Sequence, residues 1–234
     1  IRKGADVNAP TTETYVYEER TIYKGSTPLM AALANRKTEN ARLLIMKGAD
    51  VNARNETGVS ALTIAAADWQ TDMVDLLLKK GADPNAAATM DFTVDEKQVF
   101  EGSTPLMAAA YSGNAEAVKL LIGAGADVNA ATKFGATALM AAASKGHLEV
   151  VDLLAENGAE INAQTTETFQ MGKDKVPKGP SALAGAAYHG HADVVRSLID
   201  HGADVNIKDD EFEMDPLYIA SYKDHLDVVK ILIA

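Results

Sequence analysis

The sequence predicts an α-helical repeat solenoid from which β-hairpins project. A G-A-[DE]-x-N pattern recurs six times, and successive copies are separated by 44, 33, 44, 33 and 44 residues. The copies begin at Gly4, Gly48, Gly81, Gly125, Gly158 and Gly202. Each copy closes an apolar segment of helical spacing, such as "MVDLLLKK". Self-similarity at such periods indicates stacked units, each of which buries its faces against its neighbours.

The first helix of each unit is predicted from its start signal. Ser26-Thr27-Pro28 and Ser103-Thr104-Pro105 place a capping hydroxyl before a proline at the first helical position, and Asp215-Pro216 is a looser version. The capping side chain accepts from exposed backbone N–H groups, and proline has no N–H to lose there. Alanine pairs inside these helices, such as Ala108-Ala109, predict close packing between neighbouring helices.

The second helix of each unit is predicted from Leu, Ile and Val at helical spacing, as in "NARLLIMKGAD" and "AVKLLIGAGAD". The glycine that follows predicts a left-handed cap, a conformation that glycine adopts without steric cost. Each unit therefore consists of a turn, a short helix, a tight turn and a longer helix.

One such unit, "GSTPLMAAAYSGNAEAVKLLIGAGADVNA" at residues 102–130, resembles an ankyrin repeat. The family pattern runs G-x-T-P-L-x-x-A-A, then G-[HN], V-x-x-L-L and G-A-D-[VI]-N, and it recurs in phased copies along the whole chain. The resemblance implies a single ankyrin-repeat domain over residues 1–234, with a part repeat at its start. In that family, helix pairs stack side by side and hairpins project next to a concave groove.

The longer separations place eleven extra residues in every second hairpin. The extended hairpins are predicted at about residues 9–26, 86–103 and 163–180. Apolar residues alternate on the first arm of each, with Tyr15, Phe92 and Phe169 at matching positions, and a polar four-residue tip follows. This pattern predicts half-buried β-ribbons. A regular two-stranded ladder lengthens by pairs of residues, and eleven is odd. One residue of each extended hairpin must therefore lie in a bulge or a changed loop.

Two placements of the ribbons are open. Successive extended hairpins are on the order of 20 Å apart, whereas stacked sheets lie ~10 Å apart, so their apolar faces are not expected to cover one another. The ribbons either fold over the short hairpins and first helices or offer aromatic side chains to a partner. Trp69 stands at the glycine position between the two helices of its unit. It is likewise either a hydrophobic cover over the turn or a partner contact.

No motif predicts catalysis, a cofactor or a metal site. The five histidines stand mostly at helix turns, as in "SKGHLEV", where capping is the expected role. His189 and His191 with Asp193 are a conceivable metal cluster, but turn capping is the preferred interpretation. Ser181 aligns with the helix-start threonines, which argues against a nucleophile. We therefore expect a protein that is not an enzyme.

Composition narrows the class of partner. The formal charge of −11 and the lack of any Lys or Arg run argue against a nucleic-acid surface and favour a partner with a basic surface. No apolar run approaches the ~18 residues that span a bilayer. The chain has no cysteine, which excludes disulfides, thiolate metal sites and a cysteine nucleophile. The cellular compartment is left open.

The ankyrin resemblance implies a scaffold that binds a protein partner through hairpin tips and the groove. Aromatic residues are favoured interface anchors, and two sets of them are candidate contacts. The hairpin set is Tyr15, Tyr17, Tyr23, Phe92, Phe100 and Phe169, and the first-helix set is Tyr111, Tyr188 and Tyr222. Packing on the scaffold is the alternative role of each.

A structural role is the second hypothesis. Ile1, Ile122 and Ile233 occupy the same repeat position, and neither end shows the polar outer face of a terminal repeat. We expect the chain to be a window of a longer array. The alternative is that copies stack head to tail into a filament, because a heterologous contact that does not close generates a fibre.

Overall fold

A computed structural model describes residues 4–17, 20–94, 97–171 and 174–234. In these ranges the chain forms six helix pairs and three two-stranded hairpins. The first helices are α1 (Pro28–Ala34), α3 (Ala61–Ala67), α5 (Pro105–Ser112), α7 (Ala138–Lys145), α9 (Ala182–His189) and α11 (Pro216–Tyr222). The second helices are α2 (Thr38–Met46), α4 (Thr71–Lys79), α6 (Ala115–Gly123), α8 (Leu148–Glu156), α10 (Ala192–Asp200) and α12 (Leu226–Leu232).

The helix pairs stack in chain order. Each first helix packs against the second helix of its own pair and against the first helices of neighbouring pairs, which confirms the predicted solenoid. Fully buried alanines such as Ala65 and Ala109 let the first helices approach closely, and Leu77 and Leu121 fill the layer formed by the second helices. None of the helices in the described ranges is long and apolar enough to cross a membrane.

The helix ends follow the predicted chemistry. Thr104 Oγ1 accepts from Met107 N at 3.3 Å at the start of α5. Gly48 follows α2 with a φ of 87°. The N–H groups of Gly48 and Ala49 donate to the carbonyls of Ile45 and Leu44, at 3.1 and 2.9 Å. This pair of bonds satisfies carbonyls that the end of the helix leaves open.

The asparagines of the first five G-A-[DE]-x-N patterns tie their repeats to the following ones. Asn52 Nδ2 donates to Gly81 O and Asn52 Oδ1 accepts from Asp83 N, both at 2.8 Å. The same two bonds recur at Asn8, Asn85, Asn129 and Asn162. At each of these junctions one asparagine side chain therefore donates to a backbone carbonyl of the next repeat and accepts from a backbone N–H of that same repeat.

The hairpins contain short antiparallel ladders. Strand β1 (Tyr15–Tyr17) pairs with β2 (Arg20–Ile22), β3 (Phe92–Val94) with β4 (Lys97–Val99), and β5 (Phe169–Met171) with β6 (Asp174–Val176). The prediction of four-residue tips at 18–21, 95–98 and 172–175 is wrong, because the last two residues of each belong to the returning strand. The residues between the strands, 18–19, 95–96 and 172–173, lie outside the described residues.

The one added residue that a regular ladder leaves unpaired lies at the base of each extended hairpin. In the first hairpin, Thr11 N donates to Ser26 O and Thr11 O accepts from Gly25 N, both at 2.9 Å. Between these bonds and the ladder, residues 12–14 of the outgoing arm stand opposite residues 23–24 of the returning arm. Three residues opposite two give the ribbon its odd length.

Candidate protein-binding surface

The hairpins form a continuous row, because one backbone hydrogen bond joins each hairpin to the next. Glu56 N donates to Lys24 O at 2.8 Å, and Thr89 N donates to Thr57 O at 2.9 Å. The equivalent donors further along are Lys133, Thr166 and Asp210, and their acceptors are Glu101, Phe134 and Lys178. Each hairpin is therefore held from at least one side.

Aromatic rings also connect the extended hairpins. Tyr23 of the first packs edge-on against Phe92 of the second, with ring centroids 5.5 Å apart. Phe100 of the second packs edge-on against Phe169 of the third at 5.1 Å. Phe134, from the short hairpin between them, lies 5.1 Å from both rings. We call these five residues the aromatic spine.

The aromatic spine corrects the prediction that the apolar faces of successive extended hairpins do not cover one another, and it contains two candidate contacts for which packing was the alternative role. Extended hairpins do contact one another, because long aromatic side chains cross the gap that separates their backbones. Phe100 and Phe169 are only 5% and 7% exposed, so these two candidate contacts pack within the scaffold. Tyr23 and Phe92 are half-buried in the same spine.

The first hairpin remains open to solvent. Tyr15 and Tyr17 are 47% and 61% exposed, and Val16, which lies between them, is 70% exposed. Since successive side chains of a strand point to opposite faces, the two tyrosines share one face of the ribbon and Val16 lies on the other. This ribbon therefore presents adjacent aromatic side chains to solvent.

The first-helix candidates form a second row. Tyr111 and Tyr188 are half-buried, and Tyr222 is 76% exposed. A lysine of the following repeat lies over each of the first two rings: Lys145 Nζ is 4.6 Å from the centroid of Tyr111, and Lys223 Nζ is 3.9 Å from that of Tyr188. We call Tyr111, Lys145, Tyr188 and Lys223 the tyrosine–lysine ridge.

Trp69 bonds to the next repeat and is also exposed. It has a φ of 58°, a left-handed conformation that the equivalent Gly113 adopts without a side chain to strain it. Its Nε1 donates to Ser112 O in the next repeat at 2.9 Å, while 60% of the side chain stays exposed. The indole thus ties two repeats together and leaves an aromatic surface available.

Histidines cap the turns between helices. His147, His191 and His225 each place Nε2 3.0 to 3.2 Å from a carbonyl oxygen at the end of the first helix of the preceding repeat. His189 instead has Nδ1 3.1 Å from Gly185 O in its own helix. No group of three or more His, Cys, Asp or Glu in the described ranges is arranged to hold a metal ion. These contacts favour the capping interpretation.

One serine, histidine and aspartate group lies together but lacks the geometry of a hydrolytic triad. Ser197 Oγ donates to Asp152, and His201 Nδ1 is 2.8 Å from the carbonyl oxygen of Ser197 in the same helix. In a triad the carboxylate orients the histidine, and the histidine takes the serine proton. Here the carboxylate bonds the serine directly, so the arrangement resembles helix-surface packing.

An ion pair braces the second extended hairpin against the next short one. Lys133 Nζ lies 2.7 Å from Asp91 Oδ2, and Asp91 Oδ1 accepts from Glu101 N at 2.9 Å. Partial burial by itself raises the pKa of Asp91, but the hydrogen bond with Lys133, the Glu101 N–H and the lysine charge together lower it. The hydrogen bond with Asp91 raises the pKa of Lys133.

Sequence reasoning missed three residues of these surfaces. Lys145 and Lys223 contact candidate rings of the preceding first helices, and Phe134 of the short hairpin contacts Phe100 before it and Phe169 after it. Phe134 carried a usable signal, since an aromatic residue at the tip of a short polar turn, "ATKFGAT", is unusual. Each lysine directly follows the residue of its own repeat that aligns with Tyr111. The sequence does not show the contact, because only the stacking of repeats brings each lysine over the tyrosine ring.

Family models of ankyrin repeats match most of the chain. A model of three repeat copies matches residues 2–88 and again residues 89–165, and a model of many copies matches residues 185–233. No curated protein matches the chain.

Proposed function

Because the chain belongs to the ankyrin repeat family, whose repeats generally mediate protein–protein interaction, we propose that it is a non-catalytic scaffold that binds a protein partner. The proposed contacts are Tyr15 and Tyr17 of the first hairpin together with Tyr111, Tyr188 and Tyr222 of the first helices. The observation that carries the proposal is the exposure of aromatic side chains on a backbone whose successive repeats are tied by hydrogen bonds.

A rigid display of aromatic side chains supports binding for a thermodynamic reason. Tyrosine brings a large contact area and few rotatable bonds, and a scaffold that is already ordered loses little further entropy on association. The asparagine bonds at each junction and the aromatic spine provide that order. Phe100 and Phe169 therefore contribute to binding by positioning the hairpins.

The net charge supports binding of a partner with a basic surface to one side of this protein. The second helices of the six pairs contain ten acidic and five basic side chains, whereas the first helices contain no Asp or Glu. Long-range attraction of a basic partner would therefore act mainly through the side of the stack formed by the second helices.

The test compares two faces of the first ribbon. We expect the double substitution Tyr15→Ser and Tyr17→Ser to abolish recovery of the binding partner in a pull-down, with a melting temperature close to that of the wild type, because both side chains are exposed. The matched control is Val16→Ser, which changes the opposite face of the same strand. Phe169→Ser is a second control, expected to lower the melting temperature because that ring is buried.

Retention of every partner by the double variant would contradict a binding role for the ribbon. A large fall in its melting temperature would instead assign Tyr15 and Tyr17 to the scaffold.

Head-to-tail association of copies is the alternative proposal. Helices at both ends of the described stack expose apolar side chains: Leu43 and Met46 of α2 are 50% and 73% exposed, and Leu226 of α12 is 62% exposed. Light scattering over a range of protein concentrations tests this alternative. A mass that rises with concentration supports it, and a constant monomer mass contradicts it.

A further inference from the structure

Neighbouring hairpins meet through a backbone contact of one fixed form. The donor is the N–H group four residues after the asparagine of the G-A-[DE]-x-N pattern, and the acceptor is a carbonyl of the preceding hairpin. These bonds are 2.8 to 2.9 Å long, and the five accepting residues are Lys24, Thr57, Glu101, Phe134 and Lys178. The contact is therefore the same whether a hairpin is short or extended.

A glycine follows each accepting residue, because the next hairpin comes very close to the turn. The φ angle is positive at all five of these glycines, which are Gly25, Gly58, Gly102, Gly135 and Gly179. A Cβ on any of them would lie 2.7 to 3.1 Å from a backbone atom of the next hairpin. The preceding hairpin thus presents a turn whose carbonyl accepts and whose glycine leaves room for the neighbour.

Phe134 adds an aromatic ring to this contact. Its carbonyl accepts from Thr166 N at 2.9 Å, and its ring stacks on Phe169 of the same extended hairpin. The two ring centroids are 5.1 Å apart and the ring planes differ by 15°. One aromatic residue followed by Gly135 therefore binds the backbone donor of the next hairpin and also covers its ring.

The first hairpin has the same donor and the same ring position, and both are open. Thr12 stands four residues after Asn8, and no acceptor for its N–H lies among the described residues. Tyr15 aligns with Phe169 and is 47% exposed, with no aromatic ring packed on it in the described part of the chain. This hairpin therefore offers the two groups that Phe134 contacts in the third extended hairpin.

The base of the first hairpin is built like the bases of the other two extended hairpins. Thr11 N donates to Ser26 O and Thr11 O accepts from Gly25 N, both at 2.9 Å. Ala88 and Thr165 make the equivalent bonds at 2.8 to 3.2 Å. Because these bonds fix the residue before each donor, the N–H after Thr11 is held ready for an acceptor, which lowers the entropy lost on binding.

A second copy of the chain fits this site poorly. Two residues before the helix cap, where the five contacting turns have glycine, the last hairpin has Glu213 with a φ of 54°. Its Cβ takes up the space that a glycine would leave for a neighbouring hairpin. The site therefore suits a glycine turn of another protein.

We propose that Thr12 and Tyr15 form a docking site for an aromatic–glycine turn of the protein partner. The aromatic residue of the partner places its carbonyl on Thr12 N and its ring on Tyr15, as Phe134 does for the third extended hairpin. The glycine permits the close approach of the two backbones. This inference rests on the proposed protein-binding function, because it specifies what the first hairpin binds.

The probe is a backbone-cyclised peptide that contains Thr-Lys-Phe-Gly-Ala-Thr, the sequence of the turn at residues 132–137. It is titrated into the isotope-labelled 234-residue chain, and binding is followed by NMR shifts of the backbone amides. We expect saturable shifts confined to the first hairpin, with the largest at the Thr12 amide proton, because a hydrogen bond forms there. Peptides in which Ala replaces Phe or Gly are expected to bind at least about tenfold more weakly.

Three variants of the protein test the two halves of the site. Thr12→Pro removes the N–H and is expected to weaken peptide binding about fivefold, the effect of one hydrogen bond of ordinary strength. Tyr15→Ser removes the ring and is expected to weaken binding by a similar factor. Thr12→Ala keeps the N–H and is the matched control, with an affinity within about twofold of the wild type. Melting temperatures verify folding, and Tyr15→Ser carries the test if Thr12→Pro does not fold.

Four results would overturn the inference. They are the absence of shifts in the first hairpin at millimolar peptide, equal binding of the peptide that lacks Phe, and unchanged binding by both Thr12→Pro and Tyr15→Ser. The fourth is a molecular mass that rises with concentration and that Thr12→Pro keeps constant, which would make a second copy the occupant.

The wider proposal fails separately, if the double tyrosine variant of the first ribbon retains all partners in the pull-down. Loss of the partner by that variant, together with no binding of the peptide, would uphold the binding ribbon and overturn the aromatic–glycine chemistry.

Discussion

At the scale of the residue, the same residue type has different roles at different positions of the repeat. Glycines illustrate this. Gly146 ends α7 with a φ of 74°, and a Cβ there would lie 2.7 Å from Nδ1 of His191. Gly123 lies at the end of α6 in a helical conformation, and a Cβ there would meet no atom within 4 Å. Gly146 cannot be replaced without strain, because its backbone is left-handed and a Cβ has no room there. Neither reason applies to Gly123.

These differences predict opposite effects of alanine. Gly146→Ala is expected to lower the free energy of unfolding by at least about 1 to 2 kcal/mol, because a left-handed backbone strains any Cβ and the histidine ring must move. Gly123→Ala, its control, is expected to raise the free energy of unfolding by up to about 1 kcal/mol. Urea denaturation measures both, and a loss of stability in the control variant would contradict the assignment.

The asparagine at each repeat junction allows a second test at this scale. Asn129 Nδ2 donates to Gly158 O at 3.0 Å, and its Oδ1 accepts from Glu160 N at 2.8 Å. Asn129→Ala is expected to cost about 1 to 2 kcal/mol, since two bonds worth about 1 kcal/mol each are lost.

Asn206 is the matched control for that substitution. It occupies the same repeat position, and within the described ranges its side chain makes no bond to a following repeat. Asn206→Ala should therefore change stability by less than about 0.5 kcal/mol, as expected for a surface substitution. Equal losses in the two variants, measured by urea denaturation, would mean that the asparagine acts within its own turn.

At the scale of the element, the extended hairpins are stabilised by their neighbours. Ladders of three residue pairs are short, and isolated two-stranded ribbons are marginal in water. The inter-hairpin backbone bonds, the aromatic spine and the Asp91–Lys133 pair supply the missing stabilisation. In the first hairpin the residue that aligns with Asp91 is Thr14. Thr14 Oγ1 donates to Glu56 of the next short hairpin. The brace therefore persists although its chemistry changes.

The Asp91–Lys133 brace predicts a pH dependence of stability. Because the pKa of Asp91 is lower in the folded chain than in the unfolded one, protons bind the unfolded state more readily. The contribution of the pair is therefore complete above the unfolded pKa of about 4 and is lost as the pH falls through the folded value. Asp91→Asn should reduce the loss of stability on acidification.

Thermal unfolding at a series of pH values from about 6 to about 3 measures this difference, the range being set by the ordinary pKa of Asp. Lys133→Met removes the partner charge and should reduce the pH dependence in the same way. A profile for Asp91→Asn that is parallel to that of the wild type would show that the ion pair contributes nothing to stability.

At the scale of the whole molecule, the helices pack against those of neighbouring repeats. Helix α5 packs against first helices on both sides, α3 and α7, whereas α1 packs against one first helix, α3. Stability in such a stack is approximately a sum of repeat and interface terms, so repeats with two neighbours are held more firmly than repeats with one.

Amide hydrogen exchange of the 234-residue chain should reveal this gradient. We expect the slowest exchange in α5 to α8 and faster exchange in α1, α2, α11 and α12, because terminal pairs can open without disturbing the centre. Uniform protection across all six pairs would mean that the chain unfolds as one cooperative unit.

The sequence by itself determined the repeat register and the start and stop signals of the helices, because caps, glycines and apolar spacing are local signals that recur in phase. Only the tertiary structure decided which aromatic side chains are available. Tyr15, Phe92 and Phe169 occupy matching positions of the three extended hairpins, yet Tyr15 is 47% exposed, Phe92 is half-buried and Phe169 is 7% exposed. Tyr23 covers the second ring, and Phe100 with Phe134 covers the third. Burial depends on which ring the preceding hairpin supplies, and that contact has no signature in the local sequence.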